Sequence, residues 1–89
     1  MDRKTLEQDL KRAEEHVRLG ESHLRSQKRV IADLKTDRHD TRMAHKLYRT
    51  FAALQETHVA NRDRLMQELN QAETEDSVIN EIVRGRSAR

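Results

Sequence analysis

The two halves of this chain carry apolar stripes that mirror each other about residue 39, and that symmetry restricts the fold more than any other feature. Positions three and four apart in the first half are Leu6, Leu10, Ala13, Val17, Gly20, Leu24, Gln27, Ile31 and Leu34. The second half has Ala44, Leu47, Phe51, Leu54, His58, Asn61, Leu65, Glu68 (with Leu69 beside it) and Ala72. Taken in antiparallel order, the residue numbers of each pair add to 78, from Leu34 with Ala44 to Leu6 with Ala72. This spacing lines one face of a helix. Two stripes that keep a single register over nine layers are expected to pack on each other. The expected fold is all-α, an antiparallel, coiled-coil-like hairpin of two helices.

Local signals place the elements. Helix 1 is expected over about 3–35, starting at Asp2 or at Thr5, which forms a capping-box pattern with Gln8. Residues 36–40 are polar and break the register, as a turn does. Asp40 is a good N-cap for helix 2, expected over about 41–73. An apolar segment follows at 77–84, with Val78, Ile79, Ile82 and Val83 at helical spacing. Gly85 then stands in a C-cap position and opens a basic tail over 85–89. Under the 78 register Ile79 would pair before residue 1. The segment is therefore expected either to fold back as a short third helix or to dock on another chain.

Composition narrows the classes. Hydrophobic residues make up 34% of the 89, with Tyr48 and Phe51 the two aromatics, so a large core is out of reach. The phased leucines argue against disorder despite the charge content. No cysteine is present, which excludes thiolate metal sites and disulfides. No apolar run approaches the roughly 20 residues of a membrane span, and Met1-Asp2-Arg3-Lys4-Thr5 has no signal-peptide core; a soluble cytoplasmic protein is expected. A hairpin buries one seam only, whereas Leu19, Val30, Tyr48, Val59, Met66 and Leu69 lie off it. A homodimer forming a four-helix bundle is the expected cover, with Val78, Ile79, Ile82, Val83, Tyr48 and Leu69 as interface residues.

Chemistry-bearing side chains are few. Gly20 is expected opposite His58, leaving room for the imidazole, and Gln27 opposite Phe51. His16 and His23 flank Gly20, so His16, His23 and His58 are candidate ligands for Zn²⁺ or, as a pair, for haem iron. The plainer reading is structural histidines, with a pH switch as a third option. His39 and His45 read as surface residues. Asn61 falls opposite Val17 as a buried polar group, and Glu68 marks a drift of the seam onto Leu69. The turn end carries Arg25, Lys28, Arg29, Lys35, Arg38, Arg42, Lys46 and Arg49, which could meet nucleic-acid phosphates. Interleaved Asp33, Asp37 and Asp40 and the absence of an aromatic platform favour a solvated face instead. No phosphate loop, nucleophile elbow or HExxH motif occurs, so no enzymatic activity and no cofactor are expected.

The run from His16 to Leu69 resembles a family of small uncharacterised bacterial helical proteins. The resemblance rests on His16-Val17, Gly20, His23, Gln27, Asp40-Thr41, Leu47, Phe51, Gln55, His58 and Arg62-Asp63-Arg64-Leu65. It implies a compact hairpin and carries no activity with it. The function expected from the residues is a self-associating structural or protein-interaction module. A histidine-based metal or haem bundle is the alternative, and a nucleic-acid-associated protein the third.

Overall fold

The computed structural model describes residues 2–87, with side chains to residue 85. Two helices make up the fold, α1 (Arg3–Thr36) and α2 (Arg42–Ser87), with no strand among the described residues. They lie antiparallel in a rod of 79 × 15 × 15 Å.

Each boundary has a local cause. Asp2 is the N-cap of α1, its carboxylate accepting the Thr5 amide at 2.7 Å. Thr5 is thus already inside the first turn, and the Thr5–Gln8 box does not start the helix. The amide bond from Thr5 holds the Asp2 carboxyl below its ordinary range. At the other end Arg38 adopts φ 60°. The His39 amide donates to Leu34 O at 2.8 Å and the Arg38 amide to Lys35 O at 3.1 Å. This is the Schellman closure, with arginine in the left-handed position that glycine usually fills. Asp40 accepts the Arg42 amide at 2.9 Å and also takes the Arg42 guanidinium, which lowers its carboxyl pKa.

The seam buries Leu6, Ala13, Val17, Ile31, Ala44 and Leu65, together with one polar residue, Gln55. Leu10, Leu69 and Ala72 pack around the Leu6–Ala13–Leu65 cluster. Leu69, expected at an outer interface, is thus part of the intramolecular core, as the drift from Glu68 implied. Asn61 is exposed and accepts from the Arg64 guanidinium at 2.9 Å; it is not a buried polar layer.

Register departs from expectation by about one turn. Gly20 faces Gln55 in place of His58, His58 lies against His16, and Phe51 lies against His23. Gln27 donates to Ala44 O at 2.9 Å. Sliding a helix by three or four residues returns nearly the same face, so a heptad pattern alone does not select between these pairings. The roll of α2 that accompanies the slip buries Gln55 and leaves Leu47 and Leu54 half exposed.

α2 is also longer than expected. It continues without a break through 74–77 and through Gly85, so residues 77–84 form no separate third helix and Gly85 is no C-cap. The last two residues of the basic tail, 88 and 89, lie outside the described residues. Arg3, at the start of α1, bonds Glu73 at 3.1 Å and reaches Asp76 at 3.6 Å. Beyond that clamp α2 continues past the start of α1 from Ser77 to Ser87, about 16 Å at 1.5 Å per residue.

Two outcomes follow from the caps. Arg38→Gly removes a left-handed penalty of about 1–2 kcal/mol while loosening the unfolded chain. A net gain of about 0.5–1 kcal/mol is expected in urea unfolding; a loss would mean that Arg38 does not occupy that conformation. Asp2→Ala should lower the melting temperature at neutral pH. Because the folded Asp2 pKa is depressed, its contribution is complete above the unfolded value near 3.8 and fades as pH falls through the folded value. The wild-type and Asp2→Ala melting curves should therefore converge at acid pH.

Candidate functional site

One side of the hairpin, here called the front, opens into a groove of about 350 Å³ between the helices. His16, Leu19, Gly20 and His23 line it from α1, and Phe51, Leu54, Gln55 and His58 from α2. Its floor is the Gly20–Gln55 layer. Gln55 is 9% exposed, and its amide nitrogen crosses the seam to donate to Val17 O at 2.9 Å. The other end of the amide, Oε1, is buried without a hydrogen-bond partner and lies against Gly20. A Cβ at position 20 would stand 2.6 Å from Gln55 Cδ and overlap Oε1. The glycine therefore exists to admit a buried glutamine. That side chain hooks one helix onto the main chain of the other, and Gln27 does the same in the reverse direction at Ala44.

Above this floor the rings pack in two pairs. His16 and His58 have centroids 5.4 Å apart at 49°, and His23 and Phe51 are 5.9 Å apart at 47°. Both fall within the range of tilted aromatic contacts. His16 and His23 are exposed on their outer sides and His58 is half-buried. The three histidines thus line one groove, with His16 paired to His58 and His23 paired to Phe51. Among the described residues no group of three or more His, Cys, Asp or Glu is arranged to hold a metal ion.

The remaining candidates separate clearly. Val78, Ile79, Ile82 and Val83 are all at least half exposed on the projecting end of α2. Tyr48 is half-buried, with Lys28 Nζ 5.9 Å from its ring centroid. His39 is exposed, and the His45 ring nitrogen sits 3.0 Å from Thr41 O. At the basic tip Arg42 is paired with Asp40, which takes one cation out of the cluster.

The apolar face of the front groove is the feature that the heptad reading misassigned. Leu47 and Leu54, taken as seam residues, are 47% and 51% exposed, and Leu19 and Val30 on α1 are 41% and 45% exposed. The sequence signal was present in Gly20: a missing side chain in a seam calls for a long partner opposite, and Gln55 is long where His58 is bulky.

Comparison of the chain with protein-family models, with curated proteins and with solved structures gives no match.

The Gly20–Gln55 layer predicts a sign reversal. Gly20→Ala gains about 1 kcal/mol of helix propensity but must evict Gln55 from its bond to Val17 O. The single substitution should destabilise by about 1 kcal/mol, as overpacked sites do. In a Gln55→Ala background the same change should stabilise by a similar amount, near 1 kcal/mol. Equal effects in both backgrounds would show that the two residues do not touch.

Proposed function

We propose that this protein is a non-enzymatic, self-associating helical module whose front face is its protein-binding surface. The observation that carries the reading is surface left uncovered. The chain exposes 7375 Å², against about 5400 Å² expected for a compact monomer of 10.5 kDa. Among the described residues no side chain is fully buried. Leu19, Phe51 and Leu54 line the front groove from both helices, and Val30 and Leu47, at heptad-like spacing from Leu19 and Leu54, are exposed as well. An excess of about 2,000 Å² per chain, about 4,000 Å² over two chains, is on the scale of obligate interfaces, which bury about 2,000–5,000 Å² in total.

The simplest cover is a second hairpin packed front to front. Two such hairpins make a four-helix bundle in which the leucines of one copy fill the groove of the other. The half-exposed histidines and the outer charged residues would form the rim, in keeping with the usual anatomy of an apolar centre and a polar border. A scaffold or adaptor role follows from such a surface, because nothing in the groove supplies a nucleophile with an adjacent base or an oxyanion donor pair.

Sedimentation equilibrium at micromolar concentration should give a dimer mass or larger for the wild type. Leu54→Glu places a charge at the centre of the stripe, where it would be buried without a partner, and should reduce that association at least tenfold while leaving helical content intact. A wild-type monomer mass over the whole range, or a Leu54→Glu protein that associates as before, would rule out the front face as the interface.

A further inference from the structure

The projecting end of α2 presents a second surface, separate from the front face and independent of it. Beyond Asp76 the helix has lost α1, yet its apolar spacing continues. Leu47, Phe51, Leu54, His58, Asn61, Leu65, Glu68, Ala72, Glu75, Ile79 and Ile82 follow one another at alternating steps of four and three along one unbroken helix. This heptad stripe of the sequence thus runs past the start of α1, and Ile79, seven residues beyond Ala72, also continues the packed positions Leu65, Leu69 and Ala72 at helical spacing. Val78 and Ile79 are exposed by half or more, as is Ile82.

Charge says what should cover this end. Its root is acidic, with Glu73, Glu75 and Asp76, Glu81 stands near its middle, and its last turn is basic in sequence, with Arg84 and Arg86. A second copy lying parallel would set like charge on like. An antiparallel copy sets each acidic root against the other's basic tip. We propose that the projecting ends of two copies pair antiparallel about a two-fold axis near residues 80 and 81, joining two hairpins end to end.

The register is narrow. Keeping the stripe positions opposite one another puts Ile79 against Ile82, and Glu75 opposite position 86, an arginine, each contact occurring twice. It also brings residue 87 of one copy level with residue 74 of the other, just where α1 begins. A notch of about 360 Å³ lined by Arg3, Glu73, Asp76, Asn80 and Arg84 marks that junction. There the carboxyl end of each α2 points at the amino end of the other copy's α1, the favourable sense for helix dipoles. The new helix takes up the lane that α1 vacates, so the two-helix cross-section runs on through the joint.

A molecule with this contact as well as a front face has two distinct self-complementary surfaces. Such a molecule builds lengthwise and sideways, as a scaffold does.

Small-angle scattering on the full chain carrying Leu54→Glu, which removes front-face pairing, tests the contact directly. The expected result is a concentration-dependent dimer with a maximum dimension of about 140 Å, twice the 79 Å rod less an overlap of about 16 Å. Adding Ile79→Asp, or Glu75→Arg, should return a monomer about 80 Å long at the same concentrations. Combining Glu75→Arg with Arg86→Glu should restore the long dimer, since the swapped charges again oppose. A protein that stays monomeric up to millimolar concentration, dimers no longer than the single rod, or a long dimer indifferent to Ile79→Asp would each overturn the proposal. Failure of the front-face reading looks different: the mass of Leu54→Glu would equal that of the wild type.

Discussion

The contact on which the rest of this hairpin depends is the insertion of the Gln55 amide into the space left by Gly20. A two-helix rod has one seam, and leucine stripes hold such seams without fixing their axial position, because a slide of one turn exchanges leucine for leucine. A directional bond does not survive that slide. Gln55 reaches Val17 O only when α2 sits at this height, and Gln27 meets Ala44 O under the same condition. The buried Oε1 without a partner is the cost of the arrangement, since an unsatisfied acceptor loses hydration. Oε1 occupies the space that a Cβ at position 20 would fill, so only glycine admits it there.

From that register come the two exposed surfaces. Bringing Gln55 inward rolls Leu54 and Leu47 outward and opens the front groove, and His16–His58 and His23–Phe51 pair along its walls. The same register sets the start of α1 at the level of Glu73, leaving α2 to project. A rod with a radius of gyration of 21.5 Å, against about 12 Å for a compact domain of this length, cannot cover its own apolar atoms. The proposed self-association would then follow from shape as much as from composition. The charged residues are arranged accordingly: ion pairs such as Arg64–Glu68 and Arg62–Asp63 run along the outside, where they contribute little to stability and keep the surface soluble.

Much of this fold was legible in the residues. The absence of proline, the mirrored stripes and the polar stretch at 36–40 give two helices and their antiparallel sense, and Asp2 and Asp40 mark the two starts. What could not be read was height and roll. A period of 3.5 residues names a face but repeats every turn, so Leu54 and Gln55, adjacent in sequence, exchange places across the seam boundary for a modest rotation. The length of α2 was hidden for another reason. Glu73-Thr74-Glu75-Asp76-Ser77 looks like a break because it is polar, yet none of those residues forbids a helix, and Gly85 costs about 1 kcal/mol without ending one. The histidines illustrate the same point at the candidate site. Their spacing put three imidazoles near Gly20, where they do line one groove, but the axial slip paired His58 with His16 and Phe51 with His23.

Everything above rests on which residues meet across the seam, and nuclear Overhauser contacts report that without perturbing the chain. A single tyrosine and a single phenylalanine make the aromatic spectrum simple to assign. The account predicts strong contacts from the Phe51 ring to His23 and from the His58 ring to His16, together with a slowly exchanging Gln55 side-chain amide close to Val17. Contacts from Phe51 to Gln27 and from His58 to Gly20, with the other two missing, would instead establish the pairing one turn away and contradict the glutamine–glycine lock as the origin of the register.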